Sequence, residues 1–277
     1  RRKRHSTSHH MKRFIPFVAK DPIVSVIRLS GVIVASARGG GLSDQALAPA
    51  IERAFAKGKP AAVALVLNSP GGSPAQSSLI AARIRRLADE KKIPVHAFVE
   101  DVAASGGYWL ACAADDIWVD ASSILGSIGV ISAGFGFSDA IARIGVERRL
   151  HTAGRDKSLL DPFKPENPED VARLRAIQDQ IHDSFIAHVT ARRGDRLTTE
   201  EELFTGRFWA GARAVELGLA DGVAHMMPKL TALYGDKLRL RQYGPKRGLF
   251  QRFGASLGAE VLAGVEDRSH WARFGLT

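Results

Sequence analysis

Residues 101–114 read DVAASGGYWLACAA, and the fold is decided by how they are read. A buried-type strand, Val95 to Val99, runs into them. Small residues follow at Ala103 and Ala104, then Ser105, then Gly106-Gly107, and the chain turns apolar and helical from Tyr108 to Ala114. A serine at a strand-to-helix turn, flanked by small residues, is how a nucleophile is held exposed with backbone N–H groups beside it. Glycines at such a turn let a second backbone or a substrate approach closely. The competing reading is a helix-capping serine followed by a small-residue packing face.

Outward from this stretch, strands and helices alternate. Ile23 to Leu29 and Val32 to Val34 are strand-like around Gly31, and Ser43 caps a helix to about Ala56. Residues 61–67, AAVALVL, form a continuous apolar strand of the kind found in parallel sheets covered on both faces. It ends in NSPGGSP, residues 68–74, and a helix follows from about Ala75 to Lys91. Asp116 to Val119 is another short strand. This order predicts a layered α/β fold with a parallel sheet, flanking helices and right-handed crossovers.

The second half is less regular. Ile124 to Ile131 is apolar but interrupted by glycine, Ser138 to Ile144 reads as helix, and Val146 to His151 reads as strand. A polar loop over 152–168 leads into a long helix reaching about Arg193, with Pro168 in its first turn. That helix carries Val171, Leu174, Ile177, Ile181, Phe185 and Val189 on one face. A short acidic helix is expected from Thr198 or Thr199, and another from Gly211 to Leu217, stopping at Gly218.

Composition bounds the function. The chain of 277 residues is 45% hydrophobic and 25% charged, an ordinary globular balance. Its single cysteine, Cys112, excludes an intrachain disulfide framework and a cysteine-rich metal site. The sequence shows no apolar run of the roughly 20 residues needed to span a bilayer, nor a secretory signal pattern. The expected location is cytoplasmic or peripheral to a membrane. The net charge of +10 comes mostly from a tail over residues 1–22, which holds Arg1, Arg2, Lys3, Arg4, Lys12, Arg13 and Lys20. Such an arm is expected to be a solvated end, and no nucleic-acid partner is expected. Residues 245–277 suggest an amphipathic helix with Leu249, Phe250, Phe253, Leu257, Val261 and Val265 on one side and Lys246, Arg247 and Arg252 as its bases. It would pack on its own or a neighbouring subunit, or lie on an anionic membrane surface.

Two glycine turns follow two adjacent strands, Gly71-Gly72 after Leu67 and Gly106-Gly107 after Val99. In a parallel sheet, functional groups collect outside the carboxyl ends of the strands. The N–H groups of Gly72 and Gly106 can then point at one oxygen and stabilise an oxyanion. A serine nucleophile also needs a base. His5, His9 and His10 lie in the tail, His96 starts the strand leading to Ser105, His182 and His188 lie on the long helix, and His225 and His270 are distal. His151 is kept as a reserve base. A lysine amine takes the serine proton when desolvation keeps it neutral, and Lys157 lies in the loop 152–161 just before Leu159-Leu160.

Five ordered segments between Ile23 and Met226 carry a family resemblance: NSPGGSP at 68–74, ASGGYWLACAAD at 104–115, LGSIGVI at 125–131, AGRDKSLLDPF at 153–163 and FTGRFWAGARAVELGLADGV at 204–223. The chain resembles the signal peptide peptidase A family, peptidase family S49, in its short single-unit form. The resemblance implies a ClpP/crotonase-type fold over 23–235, with residues 236–277 as a helical extension. It places the nucleophile on Ser105 and the general base on Lys157, with Ser127 orienting the lysine amine and the turn at Gly71 and Gly72 supplying oxyanion donors. It implies hydrolysis of short or unfolded hydrophobic peptides, such as remnant signal peptides, without metal or organic cofactor. It also implies a homo-oligomeric ring in which neighbouring subunits share each active site. A crotonase-like acyl-CoA enzyme and an inactive scaffold of the same fold are the rival readings.

Overall fold

The computed structural model describes residues 21–35, 41–244 and 271–274. The basic tail, apart from Asp21 and Pro22, and the expected helix over 245–277, apart from 271–274, lie outside the described residues.

Three strands make the centre of the sheet: β1 (Ile23–Ser30), β2 (Ala62–Ser69) and β3 (Val95–Ala104). Around them stand β4 (Asp116–Val119), β5 (Ile124–Gly126), β6 (Phe208–Ala210), β7 (Gly222–Val223) and β8 (Arg239–Tyr243). The main path runs β6-β5-β3-β2-β1-β8, with β4 pairing β3 and β7. Every pair is parallel except β5 with β6. Strand β3 is long enough to serve two neighbours in turn: His96–Val99 pair with β4 and Val102–Ala104 pair with β5. The carboxyl ends of β2, β3 and β5 therefore meet at one edge of the sheet.

The apolar run of β2 is buried on both faces, as its unbroken pattern requires. On one face lie α1 (Asp44–Ala56), α2 (Pro74–Lys91) and α3 (Gly106–Ala111), closing the larger core over Ile27, Leu65, Leu67 and Val99. On the other, α7 (Met226–Tyr234) covers Val24, Val66 and Phe98 through Leu230. Ser43 caps α1 by accepting from the Ala46 N–H, and Ser73 caps α2 by accepting from the Gln76 N–H. Trp271 and Phe274 close a third cluster over Val102 and Ala104.

Helices α4 (Ser138–Arg143), α5 (Pro168–Arg193) and α6 (Gly211–Glu216) fall where the sequence places them. Two expected elements do not form. Residues 146–151 make no strand: among the described residues none pairs with them, Val146 is half exposed, and its N–H closes the end of α4 on Ile141. No helix starts at Thr198 or Thr199. The Thr198 N–H is taken by the Leu217 carbonyl, and Glu201 spends its carboxylate on Trp209, Arg207 and Arg213. The sheet also continues past residue 235, because β8 joins the open edge of β1 in parallel from Ile23 to Ile27. Among the described residues no helix is long and apolar enough to cross a membrane.

One region stands apart. No residue from 129 to 184 is buried, and the stretch exposes Ile131, Phe135, Phe137, Ile144, Val146, Leu160, Phe163 and Ile177. Among the described residues, the expected apolar face of α5 is fully buried only at its carboxyl half, at Phe185 and Val189. The projecting stretch is nonetheless braced internally. Phe137 stacks on Phe163, Arg148 lies over Phe163 and pairs with Asp161, and Arg173 bridges Asp156 and Asp170.

Candidate active site

Ser105 stands at the carboxyl end of β3 with φ 52 and ψ −123, a left-handed backbone that non-glycine residues rarely adopt. Such conformations cost about 1–3 kcal/mol and persist only where the surroundings enforce them. Here the enforcement is visible. The Ser105 N–H donates to the Gly126 carbonyl (2.8 Å), and the Ser105 carbonyl accepts from Tyr108 and Trp109. The Ser105 side chain makes no capping bond to α3, so the helix-cap reading does not describe it.

Ser127 sits beside it. Ala104 pairs with Gly126, so the two serines leave adjacent parallel strands at the same level. Ser127 also has positive φ (54) and is nearly buried, with its N–H held by the Arg207 carbonyl. Among the described residues neither serine hydroxyl has a hydrogen-bond partner, and both are free for a third group.

The glycine turn of 71–72 lies directly against them. A Cβ on Gly71 would stand 2.8 Å from the Ala104 carbonyl oxygen, the Gly106 nitrogen and the Ser105 Cβ. Only glycine fits there, both for space and for its φ of 103. The turn is strapped to Ile33, whose N–H donates to the Gly71 carbonyl while its own carbonyl accepts from Ser73 (both 2.8 Å). The Gly71 N–H is directed to the Ser69 hydroxyl (3.2 Å). The N–H groups of Gly72 and Gly106 have no acceptor among the described residues.

Among the described residues Lys157 shares no hydrogen bond with this cluster. It lies in a turn of the projecting stretch, exposed, with its backbone N–H on the Gly154 carbonyl (3.3 Å). Its amine has no hydrogen bond or ion pair among the described residues. The adjacent carboxylate, Asp156, is spent on Arg155 and Arg173. His151 is exposed on the same stretch. His96 is buried at the far edge of the sheet between Asp116 and Tyr234, and His225 pairs with Asp120.

The long-helix histidines have a different task, which their sequence positions did not disclose. His182 Nε2 meets the Ile128 carbonyl and His188 Nε2–H donates to the Trp109 carbonyl (both 3.1 Å). Arg192 adds bonds to the carbonyls of Cys112 and Ala114 (both 2.9 Å). Helix α5 thus satisfies the carbonyls at the carboxyl end of α3, which have no partner inside so short a helix. Behind them Tyr108 donates to the Leu219 carbonyl, and the buried Arg193 pairs with Asp221. Burial pushes the Cys112 thiol up to about 12, leaving it protonated and inert.

Burial, reinforced by the Arg192 charge, lowers the His188 pKa against the smaller upward pull of the Trp109 carbonyl. A histidine with its folded value depressed contributes stability above its unfolded pKa of about 6.5 and loses it as pH falls below that, toward the folded value. Urea unfolding should therefore show wild-type protein losing more stability than His188→Gln between about pH 7.5 and about pH 5.5. Equal losses in the two proteins would remove His188 as a titrating clamp.

Among the described residues no group of histidine, cysteine and carboxylate side chains is arranged to hold a metal. A cavity of about 390 Å³ lies on the α7 face, lined by Phe98, Glu100, Asp101, Asp120, His225 and Met226, and does not include Ser105. Its carboxylates are already partnered, by Arg28, Asn68 and His225.

A sequence profile described as Peptidase family S49 matches residues 88–233, just over half of the chain. The chain is 46% identical over 290 aligned positions to a protein of Brucella melitensis biotype 1 named Na(+)/H(+) antiporter NhaA, covering 96% of this chain and 39% of that one. It is 31% identical over 200 positions to Serine protease SPPA, chloroplastic, of Arabidopsis thaliana, covering 72% of this chain and 29% of that one. The chain therefore spans well under half the length of these two relatives. Among solved structures, the 1510-N membrane-bound stomatin-specific protease, a mutant in complex with a substrate peptide, shares the fold with a TM-score of 0.52 at 18% identity, covering 90% of this chain and all of that one. Together with the sheet edge that gathers Ser105, Ser127 and the two glycine turns, the profile match identifies this chain as a member of peptidase family S49.

Proposed function

We propose that the chain is a serine endopeptidase using a Ser/Lys dyad. The observation that carries this reading is Ser105 itself: a strained residue at a strand end whose hydroxyl, like the nearby N–H groups of Gly72 and Gly106, is unengaged among the described residues. Ser105 Oγ attacks the peptide carbonyl, its proton passes to the neutral Lys157 amine, and the oxyanion is held by Gly72 and Gly106 N–H. Lys157 then returns that proton to the leaving amine. Water hydrolyses the resulting ester by the same route, with Ser127 orienting the lysine amine throughout. Gly71 contributes shape rather than a donor, because its N–H is already spent on Ser69.

The lysine comes from a neighbouring subunit in this reading. The exposed apolar side chains between 131 and 177 are a surface suited to a second copy of the chain, and Lys157 rides on the same stretch. Burial of a lysine at such a contact favours the neutral amine that accepts a proton. Closed cyclic symmetry would enclose the sites and admit only short or unfolded hydrophobic peptides, remnant signal peptides among them. Labelling with a fluorophosphonate tests the nucleophile. The probe should form its covalent adduct on Ser105 and none on Ser105→Ala; an intact folded protein that takes no label would favour the inactive scaffold.

A further inference from the structure

We infer that Ser69 is the positioning residue that selects which glycine N–H faces the oxyanion, an inference resting on the proposed serine-peptidase reading. Ser69 is wholly buried at the end of β2, beside the irregularity in the pairing of β2 with β3. Its hydroxyl lies 2.7 Å from the Gly31 carbonyl and 3.2 Å from the Gly71 nitrogen. The polarity of both bonds is fixed, because a carbonyl only accepts and a backbone N–H only donates. The single hydroxyl proton goes to Gly31, and an oxygen lone pair takes the Gly71 N–H.

This one residue joins three pieces of the site. It ties the turn at Gly31 to the turn at Gly71, and those two segments are further zipped through Ile33. Its carbonyl also forms the seat of α3, where a Cβ on Gly107 would stand 2.4 Å from the Ser69 oxygen. Two consecutive glycines could present either N–H to a substrate. By capturing that of Gly71, Ser69 withdraws it from the substrate, while the Gly72 N–H, in the same peptide plane as the Gly71 carbonyl that Ile33 holds, stays unpaired among the described residues. Gly71 is buried, so without the hydroxyl its N–H would lose this acceptor, and the turn would be held by the Ile33 bonds alone.

The expected consequence lies in the transition state rather than in substrate binding. Losing an oxyanion donor outright costs about 10²–10³ in kcat, so a turn that is loosened but retained should cost Ser69→Ala about 10–100-fold, with KM within about twofold. Ser69→Thr keeps the hydroxyl and should recover most of the rate. The wild-type protein gives a second readout that needs no variant. With ¹⁵N-glycine labelling, adding a hydrophobic peptide boronate should shift the Gly72 amide resonance and leave that of Gly71 in place. A boronate that attaches to Ser105 but moves the Gly71 amide overturns the role of Ser69 alone, as does a folded Ser69→Ala with unchanged kcat. A boronate that never attaches to Ser105 overturns the peptidase reading, and this inference with it.

Discussion

Replacing Ser105 with alanine should lower peptide cleavage by about 10⁴–10⁶-fold, and Lys157→Ala should do the same, with the double variant no worse than either. The non-additivity follows from the chemistry. A serine hydroxyl without a base and a base without a hydroxyl are equally unable to start the reaction. Neither change should disturb the fold. Ser105 is a strained residue, Lys157 is exposed, and among the described residues neither side chain has a hydrogen bond or ion pair. Removing them deletes chemistry without deleting packing, and Ser105→Ala carries the same left-handed backbone with an equally small side chain. The measurement is steady-state hydrolysis of a fluorogenic hydrophobic peptide, with circular dichroism as the control for folding. Near-normal turnover in Lys157→Ala would overturn the dyad and turn attention to His151.

The sequence disclosed the sheet edge and its turns because the physics there is local. An unbroken apolar strand such as 62–67 has to be covered on both faces, and a Pro-Gly-Gly or Ser-Gly-Gly step marks a backbone that side chains cannot occupy. The errors share a different cause. Val146 to His151 has strand-like residues but, among the described residues, no strand paired with it, and pairing is not written in one segment alone. Strand β8 reads RLRQY, too polar to announce itself, yet it forms because β1 leaves an edge open. Ser69 lay in plain view inside NSPGGSP, but its role depends on Gly31, which is distant in sequence and meets it only across the sheet. The anchoring of α3 by His188 and Arg192, and of Ile128 by His182, was likewise invisible, since each acts on a backbone carbonyl that carries no sequence signature.

Mixing inactive Ser105→Ala with inactive Lys157→Ala should restore activity, because each site would draw its serine and its lysine from different chains. The structure supplies the reason to expect this. Within one chain the Ser105 cluster and Lys157 share no hydrogen bond, and the segment bearing Lys157 projects with nothing buried from 129 to 184. A stretch that exposes Ile131, Phe135, Ile144 and Ile177 gains about 1.5–3 kcal/mol for each such side chain fully covered, enough to drive association. Its internal pairs, Arg148 with Asp161 and Arg173 with Asp156, hold it in shape before a partner arrives. In a random equal mixture arranged in a closed ring, a given serine is intact in half the sites and its neighbour's lysine in half, so about a quarter of wild-type activity should return. Light scattering should report a mass well above the 29.9 kDa of one chain. Ile177→Asp places a charge on the unpaired half of α5 and should dissolve the assembly and its activity together, while the sheet stays folded. An active species of one-chain mass, or a mixture that stays inactive despite subunit exchange, would mean that Ser105 and Lys157 meet within a single chain, and the projecting stretch would then have to fold back over its own sheet edge.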